Sequence, residues 1–285
     1  MARILIAGCG YVGTRLAQLA AEAGHSVLAL RRKVERLPDG LPAVRADLRR
    51  PADLRDLGGP FDFVFFTAAA DGPSPEEYRA VYLRGLANLL DALGKQRPKP
   101  QRLFYTSSTA VYGQTTGEWV NESSPTEPRS AQGQILVESE RLVAAAPCPA
   151  TVVRLSGIYG TERRSLLERV QRGAARVHPA PCYSNRIHRE DAARLLLHLM
   201  DHPDPEPCYI GSDDRPATWR EVIEWLAQRL GSAPPAEDPT IPLPPTNKRC
   251  SNERLRATGY RLLYPSYREG YEAILRELSG QNATA

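Results

Sequence analysis

Through the first half of the chain, short and almost continuously apolar runs alternate with segments whose apolar residues recur every three to four positions. Residues 3–7, 26–30, 43–45, 61–66, 103–107 and 150–155 read as strands. Residues 14–24, with Leu16, Leu19, Ala20 and Ala23 on one face, read as a helix, as do 75–93 and 135–146. Strands that are apolar on both faces and separated by helices predict a parallel sheet covered on both sides.

The second half is patterned differently. Proline clusters at 179–181, 203–207 and 234–245 separate helical segments at about 165–175, 189–201, 218–231 and 266–278. No internal repeat is visible. The prolines are interleaved with aromatic residues, so these segments read as connections within a smaller, irregular C-terminal part rather than as disordered linkers.

Composition narrows the class. A chain of 285 residues with 42% hydrophobic and 25% charged residues has enough apolar surface for a sizeable core. No apolar run approaches the roughly 18 residues of a membrane span. The short run before Gly8 reads as a first strand rather than a secretory leader, which predicts a cytoplasmic protein. The net charge of +4 is spread along the chain, with no dense basic stripe for nucleic acid. The five cysteines, Cys9, Cys148, Cys182, Cys208 and Cys250, form no Cys-x-x-Cys pair. An odd, scattered set argues for free thiols over disulfides or structural zinc.

Gly8-Cys9-Gly10-Tyr11-Val12-Gly13 fits G-x-G-x-x-G. It follows a predicted strand and opens a predicted helix, the context in which this pattern cradles a dinucleotide pyrophosphate on free helix amides. A Rossmann-type site specific for NAD would carry an acid at the end of the second strand. Here Leu30 is followed by Arg31, Arg32 and Lys33. A 2′-phosphate needs cations, and arginine supplies bidentate donors, so the pattern predicts NADP over NAD.

At this point the chain resembles the extended short-chain dehydrogenase/reductase superfamily, in its epimerase/dehydratase branch. Asp47-Leu48 resembles the adenine-contacting pair, and Ala68-Ala69-Ala70 the alanine-rich turn beside the cofactor. Residues 105–113, with Ser108 and Tyr112, resemble the serine-rich strand end of the active site. Residues 154–160, with Leu155 and Ser156, resemble the segment that passes the nicotinamide, and 185–191 the return of the chain to the cofactor domain. The resemblance implies a Rossmann-type doubly wound parallel α/β sheet with a smaller α+β C-terminal substrate part. Residues 1–160 would form the dinucleotide-binding domain, with 183–203 returning to it. Residues 161–182 and 204–285 would form the substrate part.

Two departures stand out. The family's Tyr-x-x-x-Lys dyad should fall near 130–134, where Ser130 and Gln134 are the best match. The only lysines are Lys33, Lys95, Lys99 and Lys248, so the dyad is absent rather than shifted. Tyr82 stands where the family often has Asn. Ser108 matches the catalytic Ser/Thr and would hold a substrate oxygen, and Tyr112 reads first as packing and second as a candidate proton donor. His188 and Asp191 read first as chain-ordering residues, and Trp219, Trp225 and Leu226 as helix packing. His178 and Cys182 flank a turn that could line a cleft. Asp71 lies near the cleft, where turn chemistry in Asp71-Gly72-Pro73 would also explain it.

Three readings follow. The first is an NADP-dependent oxidoreductase or epimerase-like enzyme acting on a small polar metabolite or nucleotide sugar. The second is a non-catalytic NADP(H)-binding sensor or regulator, which explains the lost dyad directly. The third is a structural subunit that keeps the fold without the ligand. The expected partner is a small-molecule substrate, with no nucleic acid and no membrane. A homodimer is common for the fold, though no exposed apolar helix face argues for one.

Overall fold

Alternate residues of the first strand face opposite cores, and this sets the architecture. Ile4 and Ile6 of β1 (Arg3–Ala7) pack with Leu16, Leu19 and Ala20 of α1 (Tyr11–Glu22) and with Leu195, Leu196 and Leu199 of α6 (Arg189–Asp201). Leu5 and Ala7 pack on the other face with Leu86, Leu89 and Leu93 of α3 (Leu86–Lys95) and Val143 of α4 (Ala131–Ala144). The computed structural model describes residues 1–283, and side chains through residue 280.

Seven strands form one parallel sheet: β1, β2 (Ser26–Arg31), β3 (Ala43–Arg45), β4 (Phe63–Phe66), β5 (Arg102–Ser108), β7 (Ala150–Leu155) and β12 (Cys208–Gly211). Their order is β12-β7-β5-β4-β1-β2-β3. The chain therefore winds outward from β1 to β3, crosses back to β4, and winds outward again. The reversal between β1 and β4 is where such sheets open a crevice at their carboxyl ends.

Shorter pairs build the remainder: β6 (Glu118–Val120) with β15 (Lys248–Cys250), β8 (Gly157–Tyr159) with β11 (Arg186–His188), β9 (Arg176–Val177) with β14 (Ala236–Glu237), and β10 (Tyr183–Ser184) with β13 (Ala217–Thr218). A third apolar cluster joins Leu167 and Val170 of α5 (Ser165–Gln171), Val222 and Leu226 of α7 (Trp219–Leu230), and Tyr271 and Ile274 of α9 (Tyr267–Ala283). A short α8 (Glu253–Ala257) completes the set. No helix of the described residues is long and apolar enough to cross a membrane.

The apolar pattern misplaces some boundaries, for identifiable reasons. Helix α4 begins at Ala131, not near 135, because Ser130 caps it by accepting from the Gly133 N–H at 3.1 Å. Its polar first turn carries no apolar period. The long helix expected at 75–93 is three joined pieces: α2 (Pro75–Tyr78), a π-helical stretch Arg79–Gly85, and α3. The edge strand β12 was not anticipated. Its four residues follow the proline cluster at 203–207 and lie within the segment assigned to the C-terminal part, yet they pair with β7.

Two buried acids, Asp191 and Asp213, lie near the junction between the sheet and the C-terminal part. Asp191 is fully buried and accepts from the Leu263 and Tyr264 N–H groups, at 2.7 and 3.0 Å, and from the Tyr260 hydroxyl at 3.0 Å. It orders the chain, as expected, while the capping of α6 falls to His188, whose Nδ1 accepts from the Glu190 N–H. Asp213, just after β12, is 2% exposed. Burial pushes its carboxyl up to about 8, against the opposing effects of the Arg215 N–H and the nearby Arg186.

A carboxyl raised in the folded state stabilises the fold below its unfolded pKa of about 3.9. That contribution is lost progressively as pH rises to the folded value of about 8. His188, pushed down to about 4 by burial, has its own effect below about 6.5. Between pH 6.5 and 8.5, therefore, the urea midpoint of the wild type should fall, and Asp213→Asn should flatten that fall. An unchanged slope in the variant would contradict the assignment.

Candidate cofactor and active site

The crevice at the β1/β4 reversal encloses about 690 Å³, within the ligand-site range of about 300–1,000 Å³. The glycine loop forms its floor. Gly8 has φ +91°, and a Cβ there would lie 2.3 Å from the Ala68 backbone. A Cβ at Gly13 would lie 2.4 Å from Thr67 Oγ1, so helix α1 and β4 approach closely only because that atom is missing. Gly10 is different: its Cβ would meet only the Gly8 oxygen, at 3.8 Å. The space before Gly10 is open, and Gly10 caps α1 with no side-chain acceptor for the first-turn amides. Free amides at the start of a twelve-residue helix facing open space are an arrangement that favours an anion.

The walls fit a dinucleotide as well. Tyr11 and Ser156 line the crevice, and their hydroxyl oxygens are buried with no protein hydrogen-bond partner. The Tyr11 ring lies between the guanidinium groups of Arg163 and Arg189, at 4.4 and 4.9 Å. Val12, Ala68, Ala69, Ala70 and Leu155 line the same space. Gly13 does not, since its role is helix–strand packing.

The end beyond β2 is basic but largely paired. Arg31, Arg32, Asp47, Leu48 and Arg49 line it. Arg32 Nη2 donates to both carboxylate oxygens of Asp71, at 2.6 and 2.8 Å. Arg49 chelates Asp47 at 2.5–3.0 Å. Hydrogen bonds from Arg32 and from Arg49 hold the Asp71 and Asp47 carboxyls, respectively, below the usual carboxylate range. The Nη1 of Arg31 donates to the Arg36 carbonyl at 3.4 Å, and Arg31 makes no carboxylate pair among the described residues.

At the opposite end stand Ser108, Gln132, Leu136, Tyr78, Tyr82 and Ser156. Ser108 ends β5, and its Oγ accepts from the Ala110 N–H at 3.1 Å, which leaves its own proton to be donated. Gln132 Nε2 donates to the Pro73 carbonyl at 2.6 Å. The positions spaced four apart that face the crevice are thus Gln132 and Leu136. Ser130 and Gln134, the best sequence match to the dyad, do not line it: Ser130 is the helix cap, and Gln134 donates to the Pro128 carbonyl. Neither crevice-facing residue is Tyr or Lys. Tyr82, which also lines the space, has its hydroxyl pushed up to about 12 by burial.

Tyr112 requires a correction too. It is fully buried outside the crevice, donating to the Asn121 carbonyl at 2.9 Å and accepting from Arg154 Nη1 at 2.8 Å. Burial raises its pKa far above the ordinary value. Engaged on both sides, it cannot serve as a proton donor to a ligand. Arg154 also chelates Glu140, at 2.7–3.2 Å, and Glu140 accepts from Ser107 Oγ at 2.6 Å. This network braces the wall that carries Ser108.

Other candidates fall outside the crevice. His178 accepts from the Ala180 N–H, and Cys182 Sγ lies 3.5 Å from the Ala180 carbonyl. Leu226 is core, and the Trp219 ring stacks under Arg186. No group of three His, Cys, Asp or Glu could hold a metal among the described residues. Sequence reasoning missed Arg49, Arg163 and Gln132. Arg49, two residues past Asp47, was within reach of the motif, whereas Arg163 gave no signal because it comes from the turn before α5.

A parallel sheet with a glycine cradle at its reversal point and a cleft of this size defines a nicotinamide-dinucleotide-binding protein. The sequence profile of the NAD dependent epimerase/dehydratase family matches residues 4–211, and the chain belongs to that family. A solved Methylobacillus flagellatus structure described as an NAD-dependent epimerase/dehydratase superposes with TM-score 0.85, at 37% identity over 98% of this chain and 99% of that one. A Streptomyces antibioticus protein named for dTDP-4,6-dihydroxy-2-methyloxan-3-one 4-ketoreductase activity is 27% identical over 269 residues, 90% of this chain and 89% of its own. The human epimerase family protein SDR39U1, solved with NADPH, has TM-score 0.78 and 21% identity, covering 95% of this chain and 98% of that one. At that identity the likeness is one of fold.

Gly8 and Gly10 should separate on substitution. Gly10→Ala should leave the thermal midpoint near wild type while weakening dinucleotide binding at least about tenfold, because its Cβ enters only ligand space. Gly8→Ala should lower the midpoint itself, since it adds both strain at positive φ and a clash with Ala68. Calorimetry and dinucleotide titration on the two variants check this. Equal destabilisation by both would refute it.

Proposed function

We propose that this chain is an NADP(H)-dependent oxidoreductase of the epimerase/dehydratase family, acting on a small polar metabolite of the nucleotide-sugar type. The observation that carries the cofactor choice is the end of β2: Arg31 and Arg32 line the crevice where an NAD site would present an acid. The likeness to a dTDP-sugar ketoreductase supports the substrate class. The five free cysteines support a reducing, cytoplasmic setting.

The dinucleotide, when bound, supplies hydride transfer. This chain's residues would hold and orient. The α1 amides and Gly10 would receive the pyrophosphate, Arg31 and Arg32 the 2′-phosphate, and Ser156 a polar group at the far end. Ser108 would donate its proton in a hydrogen bond to the reacting oxygen, stabilising charge as it develops there. Gln132 offers an amide but no titratable proton, so the proton that finally reaches that oxygen would come from water. One observation favours a second reading, an NADP(H)-binding protein without turnover: the α4 residues four apart that line the crevice are Gln132 and Leu136, and neither has a titratable proton.

Two measurements test this. In fluorescence titrations NADPH should bind at least about tenfold more tightly than NADH, and Arg31→Gln should narrow that gap. Equal affinities in the wild type would sink the NADP(H) choice. Across a panel of keto-sugar nucleotides, NADPH should be oxidised, and Ser108→Ala should lower kcat about 100-fold with NADPH affinity unchanged. If no substrate in the panel oxidises NADPH, the reading without turnover replaces the enzyme.

A further inference from the structure

The pair formed by Arg32 and Asp71 crosses the crevice. Arg32 follows β2 and Asp71 lies beyond β4, strands on opposite sides of β1. Their roots are therefore separated by two strand spacings, about 10 Å. The side chains meet across the end of β1, both lining the crevice, with the Arg32 Nη2 on both Asp71 oxygens at 2.6 and 2.8 Å. A turn-forming Asp would accept from backbone N–H groups within its own loop. Among the described residues, the hydrogen bonds of the Asp71 carboxylate go to Arg32 alone.

We propose that Asp71 is a specificity-determining residue that competes with the cofactor's 2′-phosphate for Arg32, and so limits the chain's preference for the phosphorylated dinucleotide. The inference rests on the NADP(H) reading above and adds the residue that opposes it. A phosphate and a carboxylate ask the same thing of a guanidinium: two oxygens in its plane. Asp71 takes the Nη2 of Arg32 alone, so a 2′-phosphate that claims Nη2 must displace the carboxylate, and one that settles on the remaining N–H groups sits beside its negative charge. A 2′-hydroxyl carries no charge and leaves the pair intact, so NAD(H) binding is indifferent to Asp71. Both side chains are partly exposed, at 42% and 62%, so screening keeps the competition to several-fold.

The test is a double-mutant cycle: wild type, Asp71→Asn, Arg32→Gln and the double variant, each titrated with NADPH and NADH. Asp71→Asn should tighten NADPH about fivefold and move NADH less than about twofold. Arg32→Gln should weaken NADPH, and in that background Asp71→Asn should give less than half of its logarithmic gain. The proposal is overturned if Asp71→Asn leaves NADPH affinity unchanged, weakens it, or tightens both dinucleotides equally. Asp71→Ser, with apo thermal midpoints for every variant, guards against a local effect of the amide. The two readings fail separately. Equal wild-type affinities refute the cofactor preference, whereas a gain for NADPH alone on removing Asp71 still upholds its role.

Discussion

Everything at the site depends on how closely the glycine loop approaches β4. The Gly8 and Cys9 N–H groups both donate to the Leu30 carbonyl at 3.0 Å, tying the loop to the end of β2. On its other side Thr67 Oγ1 donates to the Gly8 carbonyl at 3.0 Å, and Ala68 sits where a Gly8 side chain would be. The loop is held between its two neighbouring strands, and α1 leaves it at one fixed angle with its first amides toward open space. A side chain at Gly8 or Gly13 would push β4 and β1 apart at the reversal point. The cradle, the alanine turn and the cation-bearing end of β2 would then lose their common geometry.

Charge around that cradle is arranged for exchange rather than for simple attraction. The run Arg31-Arg32-Lys33 reads in sequence as free positive charge, but two of the cations at this end, Arg32 and Arg49, are held by Asp71 and Asp47. An arginine already in a bidentate pair offers an incoming phosphate less than its formal charge suggests, because one partner must leave. Counting basic residues therefore overestimates the positive charge this end offers an anion, and Arg31, which has no carboxylate pair among the described residues, is the less engaged of the two arginines after β2.

The sheet was legible because each of its long strands is apolar on both faces, and the cradle because its glycines fall where strand yields to helix. The family resemblance pointed to Asp47, Ala68 to Ala70 and Ser156 after those strands, and all of them line the crevice. What stayed hidden depends on residues far apart in sequence. Arg163 reaches the cleft from the turn before α5, and Asp71 acquires meaning only when β2 and β4 are seen to flank β1. Ser130, the best sequence match to the dyad's first position, accepts the Gly133 N–H as a helix cap, and the polar first turn hid where α4 begins. Tyr112 failed as a donor for a related reason: proximity to Ser108 along the chain hides the fact that its hydroxyl points away, to Asn121 and Arg154.

The face of α4 toward the crevice carries Gln132 and Leu136, neither of them titratable. Behind it, Ser107, Glu140, Arg154 and Tyr112 remain linked by short hydrogen bonds within a largely buried network. Such a network is costly to keep when half satisfied, and here its charged members are paired. It fixes the end of β5, and so fixes where Ser108 presents its hydroxyl. On the α4 face Gln132 donates its amide to the Pro73 carbonyl, and Leu136 is apolar. Tyr82 lines the same space, but burial pushes its hydroxyl up to about 12, so it keeps its proton at neutral pH. Ser108, whose Oγ accepts from the Ala110 N–H, is left with a proton to donate in a hydrogen bond at this end of the crevice.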